Sequence, residues 1–287
     1  MQAVRHLVFK VAYAGYNTSL GRRYWLRKLN DWRDYAANHG ITAHTEVEPM
    51  QFGKVQIVAI PVSFDNYSYL IKYENTAVLV DVGDPDVVLE ELEKLGVSHI
   101  DAILVTHKHW DHQHGATDIA SKFKGCVIYG GNRDFSSSSI RSVEGGSEIK
   151  IGNCFYFQAL FTPGHTAGHT CYLLQSHKAA DDDGKPIELG CDDMLFSGDH
   201  LFLYGCGRVF ETPYPVMLES FEKLLNMIKD ETLIFPGHEY TLINLQFTLF
   251  VLPDDPNILQ CFESALRFDL LFTFGFIFIL SFILGYV

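Results

Sequence analysis

The pattern of apolar and polar positions changes character near residue 50. From there on, short runs rich in Val, Ile, Tyr and Phe recur between turn-forming residues, the pattern of buried strands. They fall at residues 55–60, 67–72, 77–81, 102–106, 126–129, 155–162, 171–175, 194–197 and 232–235. Between them, the apolar spacing of residues 85–95 suits an amphipathic helix with an acidic first turn, stopped by Gly96. Residues 115–123 and 216–228 read as two more helices. Residues 176–193 form a polar, acidic insertion with Asp181, Asp182, Asp183 and Gly184 at its tip. Strands mixed with helices, and no solenoid-like period, predict an α/β layered domain. Its expected span is 51–265, after a basic extension over 1–50 and before an apolar tail over 268–287.

Composition changes this picture in three places. A net charge of −13 argues against a nucleic-acid partner, whose phosphates are met by clustered cations. The first thirty residues hold Arg5, Lys10, Arg22, Arg23, Arg27 and Lys28 and no acid, as in a transit peptide, a membrane-surface anchor or a basic first helix. Six scattered cysteines without a Cys-x-x-Cys pair suit reduced thiols and an intracellular setting, cytoplasmic, mitochondrial or membrane-associated. Residues 270–287 carry no charge and would span roughly 27 Å as a helix, so this tail reads either as a membrane anchor or as a misread chain end.

The candidate chemistry is concentrated where strands end. Directly after one strand, Thr106-His107-Lys108-His109-Trp110-Asp111-His112 places three imidazoles and a carboxylate within six positions. These are ligands that zinc and iron accept, and in an extended turn His107 and His109 point to one side. Asp111 and His112 lie too close along the chain to join the same ion easily, so a second ion is their natural partner. Three further strands run into Pro163-Gly164-His165, Gly198-Asp199 and Pro236-Gly237-His238. The expected division is His107, His109 and His165 on one metal, and Asp111, His112 and His238 on the other, with Asp199 bridging. Two ions about 3.5 Å apart can share a hydroxide as nucleophile, with Asp111 and Asp199 as the catalytic carboxylates beside it. His169 reads either as orienting a ligand from behind or as a packed strand residue, and His114 and His200 as standing behind a ligand or facing solvent, without a metal-binding role.

These motifs, with Thr162-Pro163-Gly164-His165-Thr166, Ser197-Gly198-Asp199 and Pro236-Gly237-His238-Glu239-Tyr240, resemble the metallo-β-lactamase fold hydrolases. Gly205-Cys206-Gly207-Arg208 and Gly237-His238-Glu239-Tyr240-Thr241 look like the glyoxalase II (hydroxyacylglutathione hydrolase) family within them. Further likeness to glyoxalase-like members lies in Pro61-Val62 and Asp65-Asn66-Tyr67-Ser68-Tyr69-Leu70. The resemblance implies a four-layer αββα sandwich, two divalent ions, zinc or a zinc and iron mixture, and hydrolysis of a glutathione thioester such as S-lactoylglutathione. It implies that Arg208 and Tyr240 hold glutathione. Phe210 stands where the family has a hydroxyl, and the family's basic C-terminal helical region is replaced after about Arg267 by the apolar tail. Other readings are a single-iron persulfide dioxygenase, which needs fewer ligands, and a membrane-tethered regulatory protein that keeps the metal fold without turnover.

Overall fold

Alternation at period two sends successive side chains of most strands into two different apolar layers. The computed structural model describes residues 48–63, 65–152, 154–180 and 185–271, so the basic leader, the acidic tip at 181–184 and nearly all of the apolar tail lie outside it. One sheet runs in the order β1 (Met50–Phe52), β2 (Val55–Val62), β3 (Asn66–Tyr73), β4 (Thr76–Val80), β5 (Ala102–Val105), β6 (Val127–Gly131) and β7 (Arg141–Val143). The facing sheet takes strands out of chain order. From one edge to the other it holds β14 (Leu233–Pro236), β11 (Met194–Gly198), β10 (Thr170–Leu174), β9 (Phe155–Phe161) and β8 (Glu148–Ile151). A two-stranded hairpin, β12 (Leu201–Phe202) with β13 (Gly205–Cys206), follows β11.

Between the sheets lie Val55, Ile57, Tyr69, Ile71, Val78 and Leu104 from the first and Phe155, Phe157, Tyr172, Phe196 and Phe235 from the second. Their neighbours face outward: Val58, Ile60, Leu70, Leu79 and Ile103 meet Val88 and Leu92 of helix α1 (Pro85–Lys94) and Ala116 and Ile119 of α3 (Ala116–Lys122). On the other side Leu160, Leu173, Leu195 and Ile234 meet Leu224 of α4 (Tyr214–Met227). The described residues therefore form a four-layer αββα sandwich of the metallo-β-lactamase type. Burial on both faces explains why these strands read as nearly continuous apolar runs.

Several elements depart from the sequence reading. Residues 110–113, which the sequence reading left unassigned, form one helical turn, α2 (Trp110–Gln113). Strands β7 and β8 are three and four residues long with half their positions exposed, too short and too polar to stand out. Helix α4 starts at Tyr214 rather than 216 because a proline sits in its first turn, where no amide partner is needed. Helices α5 (Thr241–Val251) and α6 (Pro256–Leu271) continue from the last strand. Among the described residues no helix is long and apolar enough to cross a membrane.

Candidate metal centre

Strands β4, β5 and β6 run parallel, as do β11 and β14 in the facing sheet, so the residues that follow each group leave at a common edge. Asp81 follows β4, His107 and His109 follow β5, Asp199 follows β11 and His238 follows β14. The turn after β9 carries His165. The two sheets are stitched at this edge: Tyr67 donates to the Gly237 carbonyl at 2.9 Å and Glu239 to the Asp65 carbonyl at 2.8 Å. That stitch sets His238 beside Asp65 and Asn66.

All seven side chains expected as ligands are brought together. The ligand atoms of His107, His109, His165 and Asp199 lie within 4.8 Å of one another, and so do those of Asp111, His112 and His238. Asp199 stands between the two groups. Its Oδ2 lies 3.3 Å from His165 Nε2 and from His238 Nε2, and its Oδ1 lies 3.3 Å from His112 Nε2. Asp111 Oδ2 is 3.6 Å from His238 Nε2.

The outer nitrogens show what the inner ones are for. His165 Nδ1 donates to the Arg208 carbonyl at 2.8 Å. His107 Nδ1 meets the Thr106 hydroxyl at 3.0 Å, and that hydroxyl gives its own proton to Asp81. With those protons outside, His107 Nε2 and His165 Nε2 turn lone pairs inward, and His109 Nδ1 lies 2.9 Å from both. One proton on His109 satisfies one neighbour at most; a cation satisfies all three. Asp199 Oδ1 is buried with no hydrogen bond, as expected of an atom reserved for a metal. The donor set fits a divalent metal.

In the second group the outer nitrogens meet carboxylates: His112 Nδ1 reaches Asp81 at 2.8 Å and His238 Nδ1 reaches Asp65 at 2.9 Å. Asn66 donates to Asp111 Oδ2 at 3.0 Å. The electrostatic consequence differs between the groups. Burial among other imidazoles lowers His107 and His165 and brings His109 down to about 4. Burial also opposes charge on His238, yet Asp199 and Asp65 carry it to about 10, and Asp199, Asp111 and Asp81 likewise raise His112. Asp199 resists its own burial through His238 and His112 and stays well below the usual carboxylate range.

Two glycines let the backbone come this close. Gly198 has φ +49°, and a Cβ there would stand 2.6 Å from Thr106 Oγ1 and 2.9 Å from His169 Nε2. A Cβ on Gly237 would meet Asp199 Oδ1 at 2.5 Å and His112 Cε1 at 2.8 Å.

A profile of the "Metallo-beta-lactamase superfamily" matches residues 63–238, from the edge of the first sheet to the last of these histidines. The chain belongs to that superfamily. Its relatives include a protein named "Hydroxyacylglutathione hydrolase cytoplasmic" from Arabidopsis thaliana, 36% identical over 208 residues, which are 72% of this chain and 76% of the relative. A human "Hydroxyacylglutathione hydrolase-like protein" is 38% identical over 208 residues, 71% of this chain and 66% of the relative. A solved structure, that of ETHE1 from Myxococcus xanthus, superposes with a TM-score of 0.51 at 25% identity, over 68% of this chain and 76% of that one. The chain is a metal-dependent hydrolase of the metallo-β-lactamase superfamily.

Around the superfamily's metal cluster the remaining candidates are arranged as follows. The Phe210 ring flanks His165 at 5.0 Å and His109 at 5.9 Å. Arg208 is exposed at the same wall, with its carbonyl on His165. Tyr240 stacks on the His238 ring at 4.9 Å with planes 9° apart, with the Asp65 carboxylate nearby. His169 is buried behind Asp199, accepting the Asp199 amide at 3.2 Å and meeting the Thr162 hydroxyl at 3.0 Å. His114 stacks on Trp110 at 5.2 Å. His200, expected beside a ligand or facing solvent, is instead fully buried and stacked on Phe221, turned into the helix layer.

The sequence reading missed the supports. Asp81 has a left-handed backbone, φ +55°, at a cost of order 1 kcal/mol for a non-glycine residue. In return its carboxylate takes the Thr106 amide, the Thr106 hydroxyl and His112 Nδ1, each at 2.8 Å. Asp65, Asn66, Asp134 and Glu211 were missed as well. The available signal for Asp81 was a lone carboxylate closing an apolar strand, the same grammar that marks Asp199.

Proposed function

We propose that the chain is a binuclear thioester hydrolase that cleaves an S-2-hydroxyacylglutathione, releasing glutathione and a 2-hydroxy acid. The observation that carries this reading is the pair of converging ligand groups with Asp199 between them. His107, His109 and His165 would hold one divalent ion, Asp111, His112 and His238 the other, and Asp199 both; zinc, or zinc with iron, suits this nitrogen and oxygen set. When bound, two such ions supply an activated water and polarise the thioester carbonyl.

The protein's own part is positional. Asp199 keeps the two ligand groups in one frame, and Asp111, gripped by Asn66, presents a carboxylate at their edge. Phe210 and Tyr240 form apolar walls beside His165 and His238 that limit access of bulk water. A glutathione thiolate, whose conjugate acid lies near pH ~8.5, leaves without needing a proton first, which suits a thioester better than an amide. Arg208, exposed beside His165, is placed to meet a carboxylate of the glutathione moiety. The hydroxyacylglutathione hydrolase names of the relatives support the same substrate class. A single-iron dioxygenase would leave the Asp111, His112 and His238 group without a purpose.

The test is to measure metal content on the full chain and to compare hydrolysis of S-lactoylglutathione with that of simple alkyl thioesters. About two ions per chain and a preference for the glutathione ester are expected. Equal rates on both esters would overturn the glutathione assignment, and one ion at metal saturation would overturn the binuclear one.

A further inference from the structure

Three loops deliver or orient the ligands of the His107, His109 and His165 group, and one buried carboxylate outside the ligand set ties two of them together. Asp134 lies in the turn after β6, with its side chain fully buried. Its Oδ2 accepts the Lys108 amide at 3.1 Å and the Thr166 hydroxyl at 2.6 Å, and its Oδ1 accepts the Gly168 amide at 2.9 Å. Lys108 sits between His107 and His109; Thr166 follows His165. The carboxylate thus clamps the backbone that carries two ligands to the loop that carries the third. Close packing leaves no slack, since a Cβ on Gly168 would stand 2.6 Å from Asp134 Oδ1.

Charge extends the clamp to the third loop. Lys108 Nζ lies 3.5 Å from Asp134 and donates to Glu211 at 2.8 Å, and Glu211 also accepts the Ala167 amide at 2.9 Å. Glu211 closes the segment whose Arg208 carbonyl orients His165. None of these contacts reaches Asp111, His112 or His238, which lean on Asp81, Asp65 and Asn66 instead.

We propose that Asp134 is a positioning residue for one half of the metal centre: it sets the spacing of His107 and His109 against His165 and so the affinity of that half for its ion. The proposal rests on the two-metal reading above. A buried carboxylate taking two main-chain amides fixes backbone rather than one rotamer, and supports of this kind are typically worth about 10–100-fold in metal affinity. Thr166 contributes through its hydroxyl, so Thr166→Ser should keep what Thr166→Val loses.

The experiment uses the full chain, loaded with cobalt(II) and titrated against a chelator while the visible bands report each ion. In the wild type two ions are expected, and failure at that stage would count against the two-metal reading, not against Asp134. Asp134→Asn is expected to weaken one ion about 10–100-fold and leave the other in place, with turnover restored by excess metal and the KM for thioester unchanged. Thr166→Val should weaken the same ion by less, Thr166→Ser should restore it, and the Asp134→Asn, Thr166→Val double variant should fall short of the sum. Wild-type affinity for both ions in Asp134→Asn, with only Tm lowered, would overturn the proposal. If Asp134→Asn does not fold, the Thr166 pair decides, and equal affinity in Thr166→Val and Thr166→Ser would overturn it.

Discussion

His107 and His165 rest on neutral partners, the Thr106 hydroxyl and the Arg208 carbonyl, whereas His112 and His238 rest directly on the carboxylates of Asp81 and Asp65. A carboxylate behind an imidazole raises the basicity of the ligand, and a neutral acceptor does so far less. The two halves of one centre would therefore meet bound ions with unequal donors, although both are made mainly of histidine.

The largest break in this comparison is expected from the residue the halves share. Asp199→Ala should cost several orders of magnitude in thioester turnover, with fewer than two ions retained, because it removes an oxygen from each group. Metal analysis with steady-state kinetics checks this, and a variant that kept two ions and wild-type turnover would show that Asp199 bridges nothing.

Next in size are the supports of the second half. Asp65→Asn, which touches only His238, should weaken one ion by about 10–100-fold and spare the other, the mirror image of Asp134→Asn, whereas Asp81→Asn should weaken both, because Asp81 holds His112 directly and His107 through Thr106. Asp81→Asn should also cost stability, since the donors from Thr106 would meet an amide in place of a carboxylate. Chelator competition and thermal melts separate the two effects.

A third outcome sharpens the electrostatic contrast. In the metal-free protein His238 is raised to about 10 and His112 is raised as well, so this pair is held toward its charged form, while His109 is brought down to about 4 and His107 and His165 are lowered toward the neutral form. Loading the second half must displace its protons. Its apparent affinity should rise with pH up to about 10, and that of the first half should be flat above neutrality. The same shift means that His238 stabilises the metal-free fold at pH values below its unfolded pKa of about 6.5, a contribution lost as pH rises through about 10. Calorimetry in buffers of different ionisation enthalpy counts the protons, and release of fewer than one per chain at pH 7.5 would contradict the contrast.

Smaller effects belong to the rim. Arg208→Ala should raise the KM for a glutathione ester and leave kcat nearly intact, because the contact is the same in ground and transition states. A fall in kcat at constant KM would place Arg208 at the reacting bond. His114→Ala, which removes a ring stacked on Trp110, should change turnover least of all.

How much of this was legible beforehand depended on distance along the chain. An α/β layered domain could be read because strands such as 55–60 and 194–197 are short apolar runs between turns, and the four-layer sandwich followed from the resemblance of the metal-binding motifs. The motif from His107 to His112 could be read because dense imidazoles after an apolar strand have few other uses, and Gly before His165, Asp199 and His238 marked sharp turns. Strands β7 and β8 could not be read, since short, half-exposed strands are held by their neighbours in the sheet rather than by their own pattern.

Local pattern was enough for a layered α/β domain, for the residue types able to bind metal and for the strand ends that bear them. It was enough because alternation, turn chemistry and donor type are properties of a few adjacent residues. Only the tertiary structure decided which acceptor stands behind each histidine. Asp81 meets His112 across 31 residues and Asp65 meets His238 across 173, contacts that exist because parallel strands end at one edge and the two sheets are stitched there. A lone aspartate carries no local mark of its partner. The inequality of the two halves is therefore a product of packing, invisible until distant strands are laid side by side.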